Sequence, residues 1–231
     1  MLKPLKDLLR GQRSGPHGIA PHDQSAPRSP FGGRGSDALV STRHSRGLEE
    51  FFNHIRDTTG LTILDLGGAN QQNVSFITGL GHRLYSESFL QILNDTFGAD
   101  DTTDQSNPGR IEYFLKQTLD YEDGYFDGVL VWDVLEYLSP ALLNAVVERL
   151  HKIVRAKSYM LAFFHADAKL DVVPHYTFRI QQVKSLEVTQ RGLHRPAQLH
   201  NNRSVEKLFS KYESVKFFLT KEQLREVIVK A

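Results

Sequence analysis

The sequence predicts an α/β three-layer sandwich, with a mainly parallel sheet covered by helices on both faces and closed by an antiparallel C-terminal hairpin. Three observations predict it. Strand-like and helix-like segments alternate from residue 48 to residue 211. The last two apolar segments, Ser214–Leu219 and Leu224–Lys230, are joined by residues 220–223 alone, too few for the crossover that parallel neighbours need. A strand of buried character also runs straight into the pair Gly67-Gly68.

Taken in order, Leu48, Phe51, Phe52 and Ile55 fall at i, i+3, i+4 and i+7, the stripe of an amphipathic helix, and Gly60 stands where it would stop. Residues 61–66 read as a strand, 71–80 as a turn and helix, 83–86 as a second strand and 89–93 as a helix. Residues 94–109 are polar, hold four Asp and read as a loop. A strand follows at 127–133. Ser139 as cap and Pro140 as first residue open a helix to about residue 155, and a strand follows at 158–164. The connection from 175 to 203 is longer than the topology needs, and 176–183 and 186–190 look like an inserted pair of strands. A helix at 204–211 precedes the closing hairpin.

Composition excludes several classes of function. Of 231 residues, 40% are hydrophobic and 24% charged, ordinary for one globular core. No apolar run approaches the roughly 20 residues of a membrane span. The absence of cysteine removes disulfides and thiolate chemistry and is compatible with a cytoplasmic location, the one expected here. The ten histidines lack zinc-protease spacing, and Asp100-x-Thr-x-Asp104 lacks the glycine and closing glutamate of a calcium loop, so no metal is expected. Residues 1–45 are basic and rich in Pro, Gly and Ser, and predict a disordered arm. Leu2, Leu5, Leu8 and Leu9 alternate there with Lys3, Lys6 and Arg10, either a weak amphipathic turn for a membrane or partner, or a fraying end. The body, 46–231, is net acidic, which argues against a broad nucleic-acid footprint.

The segment with most to say is Leu61-Thr-Ile-Leu-Asp65-Leu-Gly67-Gly68-Ala69-Asn70. Strand, small-residue turn and helix N-terminus in that order are where nucleotides bind in open α/β sheets. Glu87 ends the next strand, where its carboxylate would accept both hydroxyls of a ribose. Trp132 and Asp133 end the strand at 127–133 and would face the same crevice. Asp133, Glu136 and His165 are candidate general bases, although Glu136 pairing within its helix and His165 merely ending a strand are the plainer readings.

With these residues in place, the sequence resembles the class I methyltransferases that use S-adenosylmethionine. Asp65 and Gly67 match that family's first motif and Glu87 its second. Asp123-Gly-Tyr-Phe-Asp127-Gly-Val-Leu-Val-Trp132-Asp133-Val-Leu-Glu136 matches the fourth-strand motif. The resemblance covers about residues 46–231 and implies a Rossmann-like three-layer sandwich with a seven-stranded sheet. It implies S-adenosylmethionine as cofactor, held by Asp65, Gly67, Gly68, Ala69, Glu87 and Trp132, with Gln117 or Asp120 at the adenine and Asp133 or His165 as base. Ala69 and Gln71 replace two family glycines, and the Pro-Gly-Gly turn before the fifth strand is replaced by Arg155-Ala-Lys-Ser158. The inserted segment 175–203 is basic. It would suit an anionic acceptor, and a charged surface hairpin explains it equally well. The competing readings are a non-catalytic S-adenosylmethionine-binding or scaffold module and, less favoured, a nicotinamide-dependent oxidoreductase, whose Gly-x-Gly-x-x-Gly is not met by Gly-Gly-Ala-Asn-Gln-Gln at 67–72.

Overall fold

The computed structural model describes residues 39–98, 104–167, 169–219 and 224–231. Nine strands and six helices follow in chain order: β1 (Val40–His44), α1 (Arg46–Ile55), β2 (Thr62–Asp65), α2 (Gln71–Gly79), β3 (Arg83–Ser86), α3 (Phe89–Phe97), α4 (Pro108–Thr118), β4 (Phe126–Trp132), α5 (Pro140–Ile153), β5 (Val154–His165), β6 (Val173–Gln182), β7 (Ser185–His194), α6 (Asn202–Leu208), β8 (Ser214–Leu219) and β9 (Leu224–Lys230). A single 3-10 turn, Val134–Tyr137, lies between β4 and α5. No described helix is long and apolar enough to cross a membrane.

The main sheet has the order β3-β2-β4-β5-β9-β8. Pairs β2/β3, β2/β4 and β4/β5 are parallel, and β9 runs antiparallel to both β5 and β8, the closing hairpin that the short link demanded. Six strands are present among the described residues, where seven were expected. Between β3 and β4 the described chain forms two helices instead, and residues 99–103 lie outside it. The expected loop 94–109 is shorter for the same reason. α3 continues to Phe97, and α4 starts where Asn107 accepts from the Arg110 amide at 3.1 Å and Pro108 takes the first turn, in which a missing N–H costs nothing.

Strand alternation divides the interior into two cores. Leu64, Val129, Val131, Met160, Ala162, Phe164, Val227 and Val229 point to the face covered by α3, α4, α5 and α6. Ile63, Leu130, Trp132, Leu161, Phe163 and Ile228 point to the other, covered by α1, α2 and the inserted strands β6 and β7. The period of two in β4 and β5 therefore fills both layers, as a sheet buried on both sides requires.

The inserted pair is an antiparallel hairpin extended by β1 into a second, three-stranded sheet of order β1-β7-β6. Its inner face carries Phe178, Ile180, Leu186 and Val188, all buried on the second core. Full burial of such a side chain contributes about 1.5–3 kcal/mol, so the hairpin is seated on the body by its apolar side even though its outer face is charged. The described body begins at Leu39, and the last residues of the expected arm, Val40–His44, form β1; residues 1–38, with the leucines noted above, lie outside the described residues.

Candidate functional site

The strand order reverses at β2, which has β3 on one side and β4 on the other, and this switch point opens a crevice at the C-terminal ends of the strands. The crevice encloses about 390 Å³. Its floor is the turn Gly67 to Asn70 with Ser88, its far wall Trp132 and Asp133, and its roof the hairpin β6–β7. A larger groove of about 570 Å³ lies between α5 and α6, away from the strand ends. The smaller crevice is the stronger candidate, because the glycine turn, an unpartnered acid and the hairpin converge on it.

Asp65 is fully buried. Its Oδ1 accepts from the Gly67 amide at 2.8 Å and from the Trp132 indole Nε1 at 2.6 Å, and its Oδ2 accepts from Asn73 Nδ2 at 3.0 Å. Burial pushes its carboxyl above the usual range, and the bonds from Asn73, Trp132 and Gly67 pull the other way. Both oxygens are thus spent on the chain's own donors. Asn73, which nothing in the sequence singled out, also accepts from the Ile180 amide at 2.8 Å, while Gln72 Nε2 donates to the Ile180 carbonyl at 3.2 Å. α2 therefore ties the edge of β6 to the acid of the glycine turn.

Trp132 makes a second tie. Its backbone is left-handed, φ 57°, a conformation that costs a bulky residue of order 1–3 kcal/mol and is held only by its surroundings. Its indole lies parallel to the Phe178 ring of β6, centroids 5.1 Å apart and planes within 6°. A Cβ built on Gly67 would come within 2.8 Å of the indole Cδ1 and Nε1. The side-chain space of Gly67 is therefore filled by Trp132, while its backbone stays exposed to the crevice. Gly68, φ 85°, needs glycine for its backbone instead.

Glu87 directly follows β3, but Ser88 rather than Glu87 lines the crevice, and the Tyr121 hydroxyl donates to the Glu87 carboxylate. Burial, then that bond, holds the Tyr121 hydroxyl well above the ordinary phenol range. Gln117 and Asp120 are exposed at the end of α4, off the crevice wall.

Asp133 is a different kind of acid. It is 2% exposed, it lines the crevice, and its Oδ2 has no hydrogen-bond partner among the described residues. Burial first, then the neighbouring Glu136 charge, raises its pKa to about 7 against the opposing pull of His165 and Arg43. Behind it, Glu136 and His165 form a wholly buried pair. His165 Nδ1 meets Glu136 Oε2 at 2.6 Å, and the His165 amide donates to both Glu136 oxygens at 3.1 Å. The pairing joins the 3-10 turn to the end of β5 across 29 residues, not within a helix. His165 is 1% exposed and off the crevice wall, and its Nε2 has no partner among the described residues.

In the roof, Arg179 is paired with Glu187 at 3.1 Å. Arg191 donates from Nε to Thr177 Oγ1 at 3.2 Å and lines the crevice beside His175, whose pKa is lowered by burial and then by the Arg191 charge. Arg195 lies elsewhere, on a shallow groove with Leu170 and Asp171.

No protein-family model matches the chain, and no curated protein does. Solved structures similar to it include a SAM-dependent methyltransferase from Archaeoglobus fulgidus, with TM-score 0.46, 14% identity, and coverage of 80% of this chain and 91% of that one. Another is a SAM-dependent methyltransferase from Methanosarcina mazei, at 0.44 and 11%, covering 77% of this chain and 94% of that one. A third is the 1,6-didemethyltoxoflavin-N1-methyltransferase of Burkholderia thailandensis with bound 1,6-didemethyltoxoflavin and S-adenosylhomocysteine, at 0.44 and 11%, covering 80% and 76%. With scores below 0.5, the fold assignment stands on the strand order and layer arrangement described above.

Proposed function

We propose that this chain is an S-adenosylmethionine-dependent methyltransferase acting on an anionic acceptor that loses a proton as it is methylated. One observation carries the reading: a buried carboxyl with an unpartnered oxygen, Asp133, shares a crevice with a glycine turn at the topological switch point of the sheet. The crevice volume, about 390 Å³, lies within the roughly 300–1,000 Å³ of ordinary small-molecule sites. The exposed backbone of Gly67 and the small or polar Gly68, Ala69, Asn70 and Ser88 fit the approach of a nucleoside and would hold the cofactor. Glu87 lies off the crevice wall with its Oε1 accepting from the Tyr121 hydroxyl, and Gln117 and Asp120 have no part in the proposal.

S-adenosylmethionine supplies an electrophilic methyl group when bound. The chain has to supply alignment and a place for the proton. Asp133, with a pKa of about 7, is divided between its ionised and protonated forms near neutrality, the condition in which a carboxylate serves best as general base. Glu136 fixes the ring of His165 through Nδ1, and this pair sets the charge that Asp133 feels. The hairpin covers the crevice, and Arg191 offers its guanidinium to an acceptor's carboxylate or phosphate.

A second reading, a module that binds without turnover, is favoured by the full use of Asp65 by the chain's own donors. Calorimetric titration with S-adenosylmethionine and with NAD, followed by transfer of a labelled methyl group to carboxylate- and phosphate-bearing acceptors, separates the readings. Binding of the first and not the second, with transfer that falls in Asp133→Asn while cofactor affinity stays within a few fold, is expected. Binding without transfer leaves the module; no binding at all overturns both.

A further inference from the structure

We propose that the groove between α5 and α6 is a second binding site, taking an uncharged, mainly apolar small molecule whose hydroxyl is held by the buried imidazole of His200. The groove shares no lining residue with the crevice, and the inference does not depend on the cofactor reading.

The packing of the two helices gives the groove its direction. The amides of Ala197 and Gln198 donate to the Glu136 carbonyl at 2.9 and 3.4 Å, which sets the segment leading into α6 beside the start of α5. At the other end Lys211 meets Glu148 at 2.6 Å, and the Tyr212 hydroxyl donates to the Val147 carbonyl at 3.1 Å. From Pro140 to His151, both in the wall, α5 rises about 16 Å, room for an elongated molecule in a volume of about 570 Å³. Leu143, Val147, Leu208 and Tyr212 line it with apolar surface.

His200 breaks that apolar character. It lines the groove, it is 3% exposed, and neither of its ring nitrogens has a partner among the described residues. The residue is fixed in place, because its carbonyl accepts from Arg225 Nη2 at 2.7 Å and its ring packs edge-on against Phe164, centroids 5.6 Å apart. A buried polar group without a partner is costly, and a ligand that supplies the partner removes that penalty.

The state of the ring narrows the ligand. Burial, then the Arg225 charge, lowers the His200 pKa, so the imidazole is neutral near pH 7 and offers one donor and one acceptor. A hydroxyl answers whichever nitrogen faces the groove, whereas a carbonyl only accepts. A carboxylate would lose its hydration beside a neutral ring. The cations nearby do not compensate for that loss. Arg225 is engaged with the His165 and His200 carbonyls and with Asn202, and is absent from the wall. Lys211 is held by Glu148, and Lys207 is exposed, where an ion pair contributes little.

Three probes of similar size separate these chemistries: 4-propylphenol, propylbenzene and 4-propylbenzoate, each titrated calorimetrically into the full chain near neutral pH. The proposal expects saturable binding of 4-propylphenol, at least about fivefold tighter than either of the others, the scale of one neutral hydrogen bond. In His200→Phe, which keeps a ring against Phe164 and lacks both nitrogens, the phenol should fall to the affinity of propylbenzene, itself unchanged. Asn144→Trp, which sets a bulky side chain in the groove from an exposed helix position, should weaken the phenol as well. Should His200→Phe fail to fold, the wild-type ranking and Asn144→Trp decide. Equal affinity for phenol and propylbenzene in the wild type overturns the hydroxyl assignment, and tightest binding of the benzoate overturns the uncharged one. Full phenol affinity in Asn144→Trp puts the binding elsewhere and overturns the site, as does the absence of phenol binding to the wild type.

Discussion

Asp65 ends β2 and Asp133 directly follows the neighbouring β4; both are buried, and both have carboxyls raised by loss of water, yet they stand in opposite states of readiness. Asp65 receives three donors from three places in the chain. Asp133 keeps an oxygen with no partner among the described residues and faces the crevice. A strand-end acid is therefore not by position a ligand-binding or catalytic acid. The supply of donors around it decides whether it holds the fold together or remains available for chemistry.

The sharpest way to break this comparison is to remove each carboxylate in turn. Asp65→Ala strands the Trp132 N–H and one Asn73 N–H in the interior, and each buried unsatisfied group costs about 1–3 kcal/mol. A loss of about 3 kcal/mol or more is expected, read as a lower urea midpoint with unchanged slope. A loss under about 1 kcal/mol would mean that the network does not hold the glycine turn to the hairpin.

Asp133→Asn should act in the opposite direction on stability. The folded pKa of about 7 lies above the unfolded Asp value of about 3.9, so between these limits the folded state holds a proton that the unfolded state has released. Its contribution is fully present below about pH 4 and is lost as pH rises through about 7. Asp65 and Glu226, also raised, act with the same sign, whereas His82, His175, His194 and His200, all lowered, act with the opposite one, so the wild-type profile is a composite. The difference between variant and wild type isolates one group. Asp133→Asn should match the wild type near pH 4 and become relatively more stable toward pH 8; a difference independent of pH would show that Asp133 ionises normally.

Gly67→Ala is expected to cost about 1–3 kcal/mol, since its methyl would press on the indole at 2.8 Å and overpacking is penalised on that scale. Combined with Trp132→Phe the cost should shrink, and the non-additivity measures the contact. Additive costs would place the strain of Gly67→Ala elsewhere in the turn.

The parts of the site that could be read in the sequence are those that follow from strand position. Asp65, Gly67, Trp132 and Asp133 meet because β2 and β4 are adjacent parallel strands, and parallel adjacency follows from the alternation of elements. What the sequence left hidden is who donates to whom. Trp132 bonds to an acid 67 residues away, and Asn73 takes the edge of a hairpin 107 residues on, with no local pattern to announce either. α4 was hidden for a related reason: its buried positions, Phe114 and Thr118, are too few and too mixed to stand out from the polar stretch before them. Glu136 and His165 were visible singly, and only the approach of the 3-10 turn to the end of β5 makes them a pair.

The smallest effect on stability is expected in the roof, where the acceptor proposal is most exposed. Arg179 and Arg191 belong to the same hairpin, but Arg179 already has Glu187 at 3.1 Å, whereas Arg191 is held, among the described residues, through Nε to a threonine hydroxyl. Arg191→Gln should change stability by less than about 0.5 kcal/mol, as exposed substitutions usually do. If its outer nitrogens hold the acceptor's anion in ground and transition states alike, the variant raises KM about tenfold or more and leaves kcat nearly unchanged. Arg179→Gln serves as the control, because it removes a charge from the same strand pair without removing an available guanidinium. Equal rises in KM for both would reduce the effect to the overall charge of the roof, and such an effect would fade with salt. No rise for either would leave the hairpin as a cover held by Phe178, Ile180, Leu186 and Val188, with no role in choosing the acceptor.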